Sequence, residues 1–406
     1  MTRKVQMGFI GAGGFISAHH LATARDSEFM EIRAIADINP RILQHHQSAM
    51  QVGYVTADYR ELLNDDKLDI IVIGTKQDLH AKLIIESLDA GKWVLCEKPM
   101  ANTVEESQQV LDAEKRNPGR LAIGFNRRFA PACRQARELM RQAKRPWFVN
   151  YRMMNQSTHV FDSYYKKQPR ILYEGCHILD LARWFFESDP SEVFMTGDEF
   201  KNNCCILSFA DGSQFQFMCG SIGATTFWKE NMEVFGQDKT ISINDFVDMR
   251  VRGFPGEYDR LFEPYRGEQG AEILKYGFDF YEMYGAYYRE EYVPPEFKVD
   301  WAQYGVANVM PRRPIELPFN IAHFSRQNKE LRGFVPNKGW YESLEHFAKC
   351  LLDGKVPDNA SGRDGAKATE MAMCLLESLK TKRPIKFNHK RENSTINIQI
   401  KETANV

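Results

Sequence analysis

The chain has 406 residues, with 53 Lys and Arg against 54 Asp and Glu, a formal net charge of −1, 43% hydrophobic and 26% charged residues. This length predicts two or three domains, and the composition is that of a chain that buries a core rather than a disordered one. The charge balance gives no bulk electrostatic reason to bind nucleic acid or an anionic membrane. No apolar run approaches the roughly 18 residues of a membrane-spanning helix. The basic start Met1-Thr2-Arg3-Lys4 meets glycines after Ile10, so no secretion signal is expected. Eight cysteines without a Cys-x-x-Cys pair read as buried free thiols. They predict a reducing, cytoplasmic location.

An apolar run over residues 5–10 leads into Gly11-Ala12-Gly13-Gly14 and a helix to about residue 24. A strand over 31–36 ends at Asp37, and a helix starts near Asn39-Pro40, since proline is favoured in a first turn. Strands over 69–73, 93–96 and 121–125 end at Gly74-Thr75, Glu97-Lys98-Pro99 and Asn126-Arg127. A helix over 80–90 is closed by Gly91. Short continuous apolar strands separated by helices predict an α/β fold, a doubly wound parallel sheet. In such sheets ligands bind outside the C-terminal strand ends, which places a cofactor site among these residues. Past residue 145, strands are expected over 147–154, 192–198, 204–209, 213–219, 225–235 and 239–243, with Asp211-Gly212 as a hairpin turn. Cys204 and Cys205 then point to opposite faces.

Gly11-x-Gly13 between a strand and a helix lets the backbone turn tightly and approach a pyrophosphate, with the helix N-terminus supplying amide donors. Ile16 stands at the third glycine of G-x-G-x-x-G, so a plain strand–helix turn is the alternative. Asp37 closes the second strand where an acid accepts hydrogen bonds from the adenosine ribose; its alternative role is to cap the following helix. Together they predict a bound dinucleotide. An acid with no arginine directly after it favours NAD over NADP, although Arg41 lies close.

Cys96-Glu97-Lys98-Pro99-Met100-Ala101, preceded by Asp89-Ala90-Gly91-Lys92, resembles the Gfo/Idh/MocA oxidoreductase family, which includes glucose-fructose oxidoreductase and inositol dehydrogenase. Ile73-Gly74-Thr75 with His80, Gly124-Phe125-Asn126-Arg127-Arg128-Phe129, Glu174-Gly175-Cys176-His177-Ile178-Leu179-Asp180-Leu181 and Lys229-Glu230-Asn231-Met232-Glu233-Val234-Phe235-Gly236 are similar to further landmarks. The likeness spans residues 4–245 and 338–385. It implies an N-terminal Rossmann NAD-binding domain over 1–125 and a C-terminal α+β domain over 126–390, built on a large, mostly antiparallel sheet; residues 391–406 form a tail. It implies cofactor contacts from Gly11, Gly13, Gly14, Phe15, Ile16, Asp37, Thr75, His80, Glu97, Lys98, Asn126 and Arg127. Substrate contacts are implied from Lys98, Arg127, Tyr151, Glu174 and His177. A carbohydrate or cyclitol is the implied small-molecule partner, and a homo-oligomer, dimer or tetramer, is expected through the C-terminal sheet.

Hydride transfer from a secondary alcohol requires a base for the hydroxyl proton and stabilisation of the developing alkoxide. Lys98, at a strand end before proline, is the candidate for the second role. His177 is the candidate base, in the first turn of a helix with an apolar stripe of Leu181, Trp184 and Phe185. A helix N-terminus disfavours the imidazolium and keeps the ring able to accept a proton. Asp180, three residues on, is expected to orient the ring. Many relatives carry aspartate four residues before this histidine; here that place is Tyr173, with Glu174 beside it, and either is a candidate proton conduit or substrate ligand. Alone, Lys98 reads as a surface lysine and His177 as a core histidine; the motif context reverses both.

His19-His20 and His45-His46 read as packing or surface residues, and no cluster has metal-site spacing. The expected activity is NAD(H)-dependent oxidoreduction of a sugar, sugar derivative or cyclitol. The alternatives are NAD-dependent, redox-assisted glycoside cleavage or a non-catalytic dinucleotide-responsive regulator. Residues 250–335 depart from the family pattern. Tyr276, Phe280, Tyr284, Tyr287 and Tyr288 form an aromatic stripe there, read as a packed helix, a subunit interface or a substrate lid. Arg250, Arg252 and Arg312-Arg313 are either solvated or contacts for an anionic substrate. Amphipathic helices are expected over 340–352 and 363–379.

Overall fold

The structure, a computed structural model, describes residues 3–154, 168–222, 229–246, 248–262 and 336–387. The aromatic stripe, Arg312-Arg313 and the tail lie outside the described residues. Six parallel strands form the first sheet: β1 (Val5–Ile10), β2 (Met30–Ala36), β3 (Tyr54–Thr56), β4 (Ile70–Ile73), β5 (Trp93–Cys96) and β6 (Leu121–Ile123). Their order is β3-β2-β1-β4-β5-β6, so the chain reverses direction across the sheet between β1 and β4. That switch point opens a crevice at the strand ends. β3 has no fully buried residue and no clean apolar run, which is why the sequence does not announce it.

The first crossover, α1, is three contiguous pieces: Gly14–Ile16, a π-helical Ser17–Leu21 and Ala22–Asp26. α2 (Pro40–Ala49) has Pro40 in its first turn and Asn39 as its cap, accepting from the Arg41 amide at 3.0 Å. A short α3 (Arg60–Leu63) follows β3, and α4 (His80–Asp89) ends before Gly91, whose φ is +76°. α5 (Val104–Arg116) carries a capping box between Thr103 and Glu106.

After α6 (Pro131–Arg141), the chain enters a nine-stranded sheet. β7 (Phe148–Met154) lies at its centre, parallel to β10 (Gln214–Gly220) and antiparallel to β11 (Glu230–Gly236). Outward from these lie β9 (Asn203–Ser208) and β8 (Glu192–Gly197) on one side. On the other side are β12 (Lys239–Asn244), β13 (Asp248–Arg252) and β14 (Tyr258–Leu261). The sheet is therefore mostly antiparallel, as expected. The turn at Asp211-Gly212 is present, with Gly212 at φ +84°.

Strand alternation divides the two faces. Val149, Tyr151, Phe215, Phe217, Val234 and Ile241 are buried. Phe148, Ile206, Met218 and Phe235 stand on the opposite face and are exposed. Cys204 is exposed and Cys205 buried, on opposite faces as the strand predicts. Two short helical pieces, α7 (Arg170–Tyr173) and α8 (Cys176–Phe186), cover the buried face. α9 (Trp340–Asp353) returns to the first domain, where Leu344, Phe347 and Ala348 join Val5, Met7 and Phe9 in one core. α10 (Gly362–Thr381) is capped by Ser361 and Asp364 and leads to β15 (Ile385–Lys386) on β8. Among the described residues no helix is long and apolar enough to cross a membrane.

Candidate active site

The glycine loop sits at the switch point. Gly11 has φ +83°, and a Cβ there would lie 2.7 Å from the Gly74 carbonyl oxygen, so β1 and β4 close on a residue without a side chain. A Cβ at Gly13 would meet nothing within 4 Å, which leaves that side of the loop open to a ligand. Ile16, at the third-glycine place, is accommodated by Gly74: a Cβ on Gly74 would fall 2.1 Å from the Ile16 side chain. The fingerprint is shifted rather than broken, because the missing side chain lies on β4's end instead of on α1.

Asp37 lies beside this loop. Its Oδ2 accepts from the Ala12 amide at 2.8 Å and its Oδ1 from the Asn39 amide at 2.8 Å. Asn39, not Asp37, caps α2, so the Asp37 carboxylate is free to brace the glycine loop. Phe15 instead turns its ring toward His19 and Trp340, with centroids at 4.7 and 5.9 Å.

His80 is buried, with Nδ1 2.7 Å from the Pro99 carbonyl oxygen and Nε2 3.1 Å from that of Thr75. It ties the β4 end to the Glu97-Lys98-Pro99 turn. Burial is the main cause of its lowered pKa. Glu97 is buried too, 2.7 Å from His20 Nε2, and accepts from the Lys98 amide at 3.3 Å. Burial pushes its carboxyl upward, but His20 and Lys98 outweigh this and hold it below its ordinary value.

Lys98 Nζ donates to the Tyr173 carbonyl oxygen at 3.2 Å, bringing the β5 end against the end of α7. His177, in the first turn of α8, is buried, and its Nδ1 has no hydrogen-bond partner among the described residues. Burial lowers its pKa well below 6.5, and Arg127, Lys98, Lys229 and Lys338 lower it further. Burial and these cations favour the neutral ring. Glu174 faces Lys229 at 3.7 Å. Burial opposes its ionisation, but Lys229, Lys98, Arg170 and Arg127 bring its pKa down to about 2. Burial pushes the Tyr173 phenol up, so it stays protonated near neutral pH.

Three sequence candidates have other duties. Asp180, expected to orient His177, gives both carboxylate oxygens to Arg128 at 2.8 and 2.5 Å. It anchors α8 to the 126–129 turn, with Asp364 of α10 sharing Arg128 at 3.1 Å. Arg127 makes a two-pronged pair with Glu230, both bonds 2.8 Å, leaving its Nη1 without a partner among the described residues. Tyr151 donates to Glu230 at 2.5 Å. Asn126 donates to the Lys338 carbonyl oxygen at 2.7 Å, and its own buried Oδ1 is likewise unpartnered. Arg250 and Arg252 are exposed on β13 beside Asp248 and Asp259, at 3.2 and 2.8 Å.

Sequence reasoning missed His20, Lys229, Glu230 and Lys338 as site residues. Lys229-Glu230 had a visible signal, two adjacent opposite charges where a strand begins. Lys338 had none: it reaches Glu230 at 2.6 Å across 108 positions.

A glycine loop at a sheet's switch point with an acid at the neighbouring strand end is the arrangement of a dinucleotide-binding Rossmann fold, and a lysine and a histidine lie beyond it. Residues 5–125 match the model of the Gfo/Idh/MocA oxidoreductase family, NAD-binding Rossmann fold. That match lies wholly within the N-terminal, parallel-sheet part of the chain. It is 31% identical over 201 residues to an inositol 2-dehydrogenase of Salmonella typhimurium, covering 48% of this chain and 57% of that protein. It is 32% identical over 149 residues to a levoglucosan dehydrogenase of Pseudarthrobacter phenanthrenivorans, covering 34% of this chain and 38% of that one. The chain thus aligns with little more than half the length of the inositol dehydrogenase. In fold the likeness is fuller. A levoglucosan dehydrogenase complexed with NADH and levoglucosan superposes with TM-score 0.70 at 18% identity, over 95% of this chain and 99% of that one. A putative myo-inositol dehydrogenase of Sinorhizobium meliloti gives 0.68 at 19% identity, over 95% and 100%.

Proposed function

We propose that the protein is an NAD(H)-dependent dehydrogenase acting on a secondary alcohol of a sugar, sugar derivative or cyclitol. The observation that carries this is the approach of Lys98, at the β5 end, to the Tyr173 carbonyl oxygen and to the buried His177 whose ring it helps keep neutral. Bound NAD supplies the hydride acceptor. The glycine loop and Asp37 hold the dinucleotide, and Asn126 lies at the β6 end with its amide on the Lys338 carbonyl oxygen. Neutral His177 takes the hydroxyl proton at a ring nitrogen, and the Lys98 ammonium stabilises the negative charge that develops on the oxygen. Tyr173 and Glu174 lead into α8 beside them and serve as flanking substrate groups, with Arg127 and Tyr151 held behind by Glu230.

Asp37 favours NAD, since a 2′-phosphate would meet its carboxylate. The functional division is a nucleotide domain over 1–125, with α9 returning to cover it, and a substrate domain after it. Phe148, Ile206, Met218 and Phe235, exposed on one face of the second sheet, support homo-oligomer formation. The names of the relatives, inositol and levoglucosan dehydrogenases, support the substrate class. The deciding experiment is a screen of sugars and cyclitols with NAD and NADP, read by absorbance of the reduced cofactor. His177→Ala and Lys98→Ala should each abolish turnover while NAD binding persists. Turnover near wild type in either variant rejects the mechanism.

A further inference from the structure

The glycine loop is tied at both ends of Ala12. The Ala12 amide donates to Asp37 Oδ2 at 2.8 Å, just past the end of β2. Its carbonyl oxygen accepts from Ser17 Oγ at 2.8 Å and lies 3.1 Å from Nε2 of His46, which reaches it from α2 across 34 positions. His46 is buried, unlike His45 beside it, and Ser17 Oγ stands 3.1 Å from the same Nε2. A ring protonated at Nε2 gives the Ala12 oxygen its second bond and leaves only a lone pair unmet at Nδ1, which has no partner among the described residues. The other tautomer buries an unmatched N–H there, the rarer and costlier arrangement. Burial lowers the His46 pKa against the opposing pull of the Ala12 carbonyl, which favours the neutral ring. The Ala12–Gly13 peptide is trans, and in a trans unit the carbonyl and the following N–H point in opposite directions. An Ala12 oxygen held toward His46 and Ser17 therefore turns the Gly13 N–H away from them. That amide has no partner among the described residues, and a Cβ on Gly13 would meet nothing within 4 Å.

We propose that His46 is a positioning residue for the dinucleotide: its Nε2–H holds the Ala12 carbonyl so that the Gly13 amide is presented to the pyrophosphate. This rests on the dinucleotide-binding reading and deepens it. One stretch of chain, from the end of β2 into α2, then serves the cofactor twice, through Asp37 at the ribose and through His46 at the phosphates. Without the His46 bond the peptide plane is freer to rotate, and a carbonyl oxygen turned toward the phosphates repels what an amide would bind.

The test is NADH binding to the full chain, read by fluorescence titration, beside the melting temperature without cofactor. His46→Leu fills the space without a donor and should weaken NADH binding about tenfold, the size of one lost hydrogen bond to a buried carbonyl. His46→Gln places an amide nitrogen where Nε2 stood and should stay within about threefold of the unsubstituted chain. His46→Asn is as polar but one methylene too short, so it should weaken binding as His46→Leu does. The Gln and Asn variants carry the comparison should the apolar one fail to fold. In turnover the loss is expected in KM for NAD and not in kcat. A lowered melting temperature with NADH affinity kept in His46→Leu and His46→Asn makes His46 a packing residue and overturns the proposal. Equal weakening in His46→Gln and His46→Asn overturns the hydrogen bond as its basis. No NADH binding by the unsubstituted chain overturns the dinucleotide reading as well.

Discussion

His20 and Glu97 are joined at 2.7 Å across 77 positions, both buried, one on the π-helical part of α1 and the other directly before Lys98. The helix that follows the glycine loop is thereby fastened to the turn that presents the candidate catalytic lysine. A π-helical turn shifts the side chains after it relative to a regular helix, and here it coincides with the residue that reaches Glu97. His20→Ala is expected to cost about 1–3 kcal/mol, because Glu97 loses its closest partner while remaining buried. Denaturant unfolding of the variant checks this, and unchanged stability would show that the pair contributes nothing.

Gly74 and Ile16 form a second coupled pair. Gly74→Ala should destabilise by about 1–3 kcal/mol through overlap with Ile16. Adding Ile16→Ala should recover part of that loss, so a double-mutant cycle reads a coupling energy distinct from zero. Additive effects would place the strain elsewhere.

Glu230 collects Arg127, Tyr151 and Lys338 in the buried layer behind the site. Glu230→Ala strands two cations and is expected to cost about 3–5 kcal/mol. Glu230→Gln keeps the shape and part of the bonding and should cost less. Thermal unfolding of the two variants gives the order.

The histidines set an acid limit on stability. An unfolded histidine binds a proton near pH 6.5, whereas His177 in the fold is held well below that value by burial and by neighbouring cations. His19, brought down to about 3 chiefly by burial, adds to this. The unfolded state therefore binds more protons below pH 6.5, and stability falls with pH by up to about 1.4 kcal/mol per unit for each such histidine. Glu174 has the carboxylate form of the same sign. Its stabilisation is present above its unfolded pKa of 4.5 and is lost as pH falls toward about 2. His177→Asn should flatten the melting temperature between pH 6.5 and 5. An unaltered slope would mean that this ring is not held neutral by the fold.

The exposed face of the second sheet yields one more expectation. Phe148 and Phe235 are cross-strand partners there, both exposed. Phe148→Glu should shift sedimentation toward the monomer if this face carries the proposed assembly. An unchanged sedimentation coefficient would assign assembly to another surface.

The sequence by itself determined the parallel first sheet, because buried strands must be short continuous apolar runs and Val5–Ile10 and Ile70–Ile73 can be little else. It also determined the glycine loop, Asp37 and the Glu97-Lys98-Pro99 turn, since each sits at a strand end where local backbone geometry and ligand approach coincide. β3, β13, β14 and β15 were not legible: they are short or polar strands whose stability comes from a neighbouring ladder and not from their own pattern. Which charges meet was likewise a tertiary decision. Asp180 lies one helical turn from His177 yet pairs with Arg128, because bidentate geometry with a buried arginine outweighs sequence proximity. Lys338 and Glu230 are far apart in the chain, and only the packing of residues 336–339 against the 126–130 turn brings them together. Local rules see along the chain, whereas buried electrostatics is settled by what the core leaves unpaired.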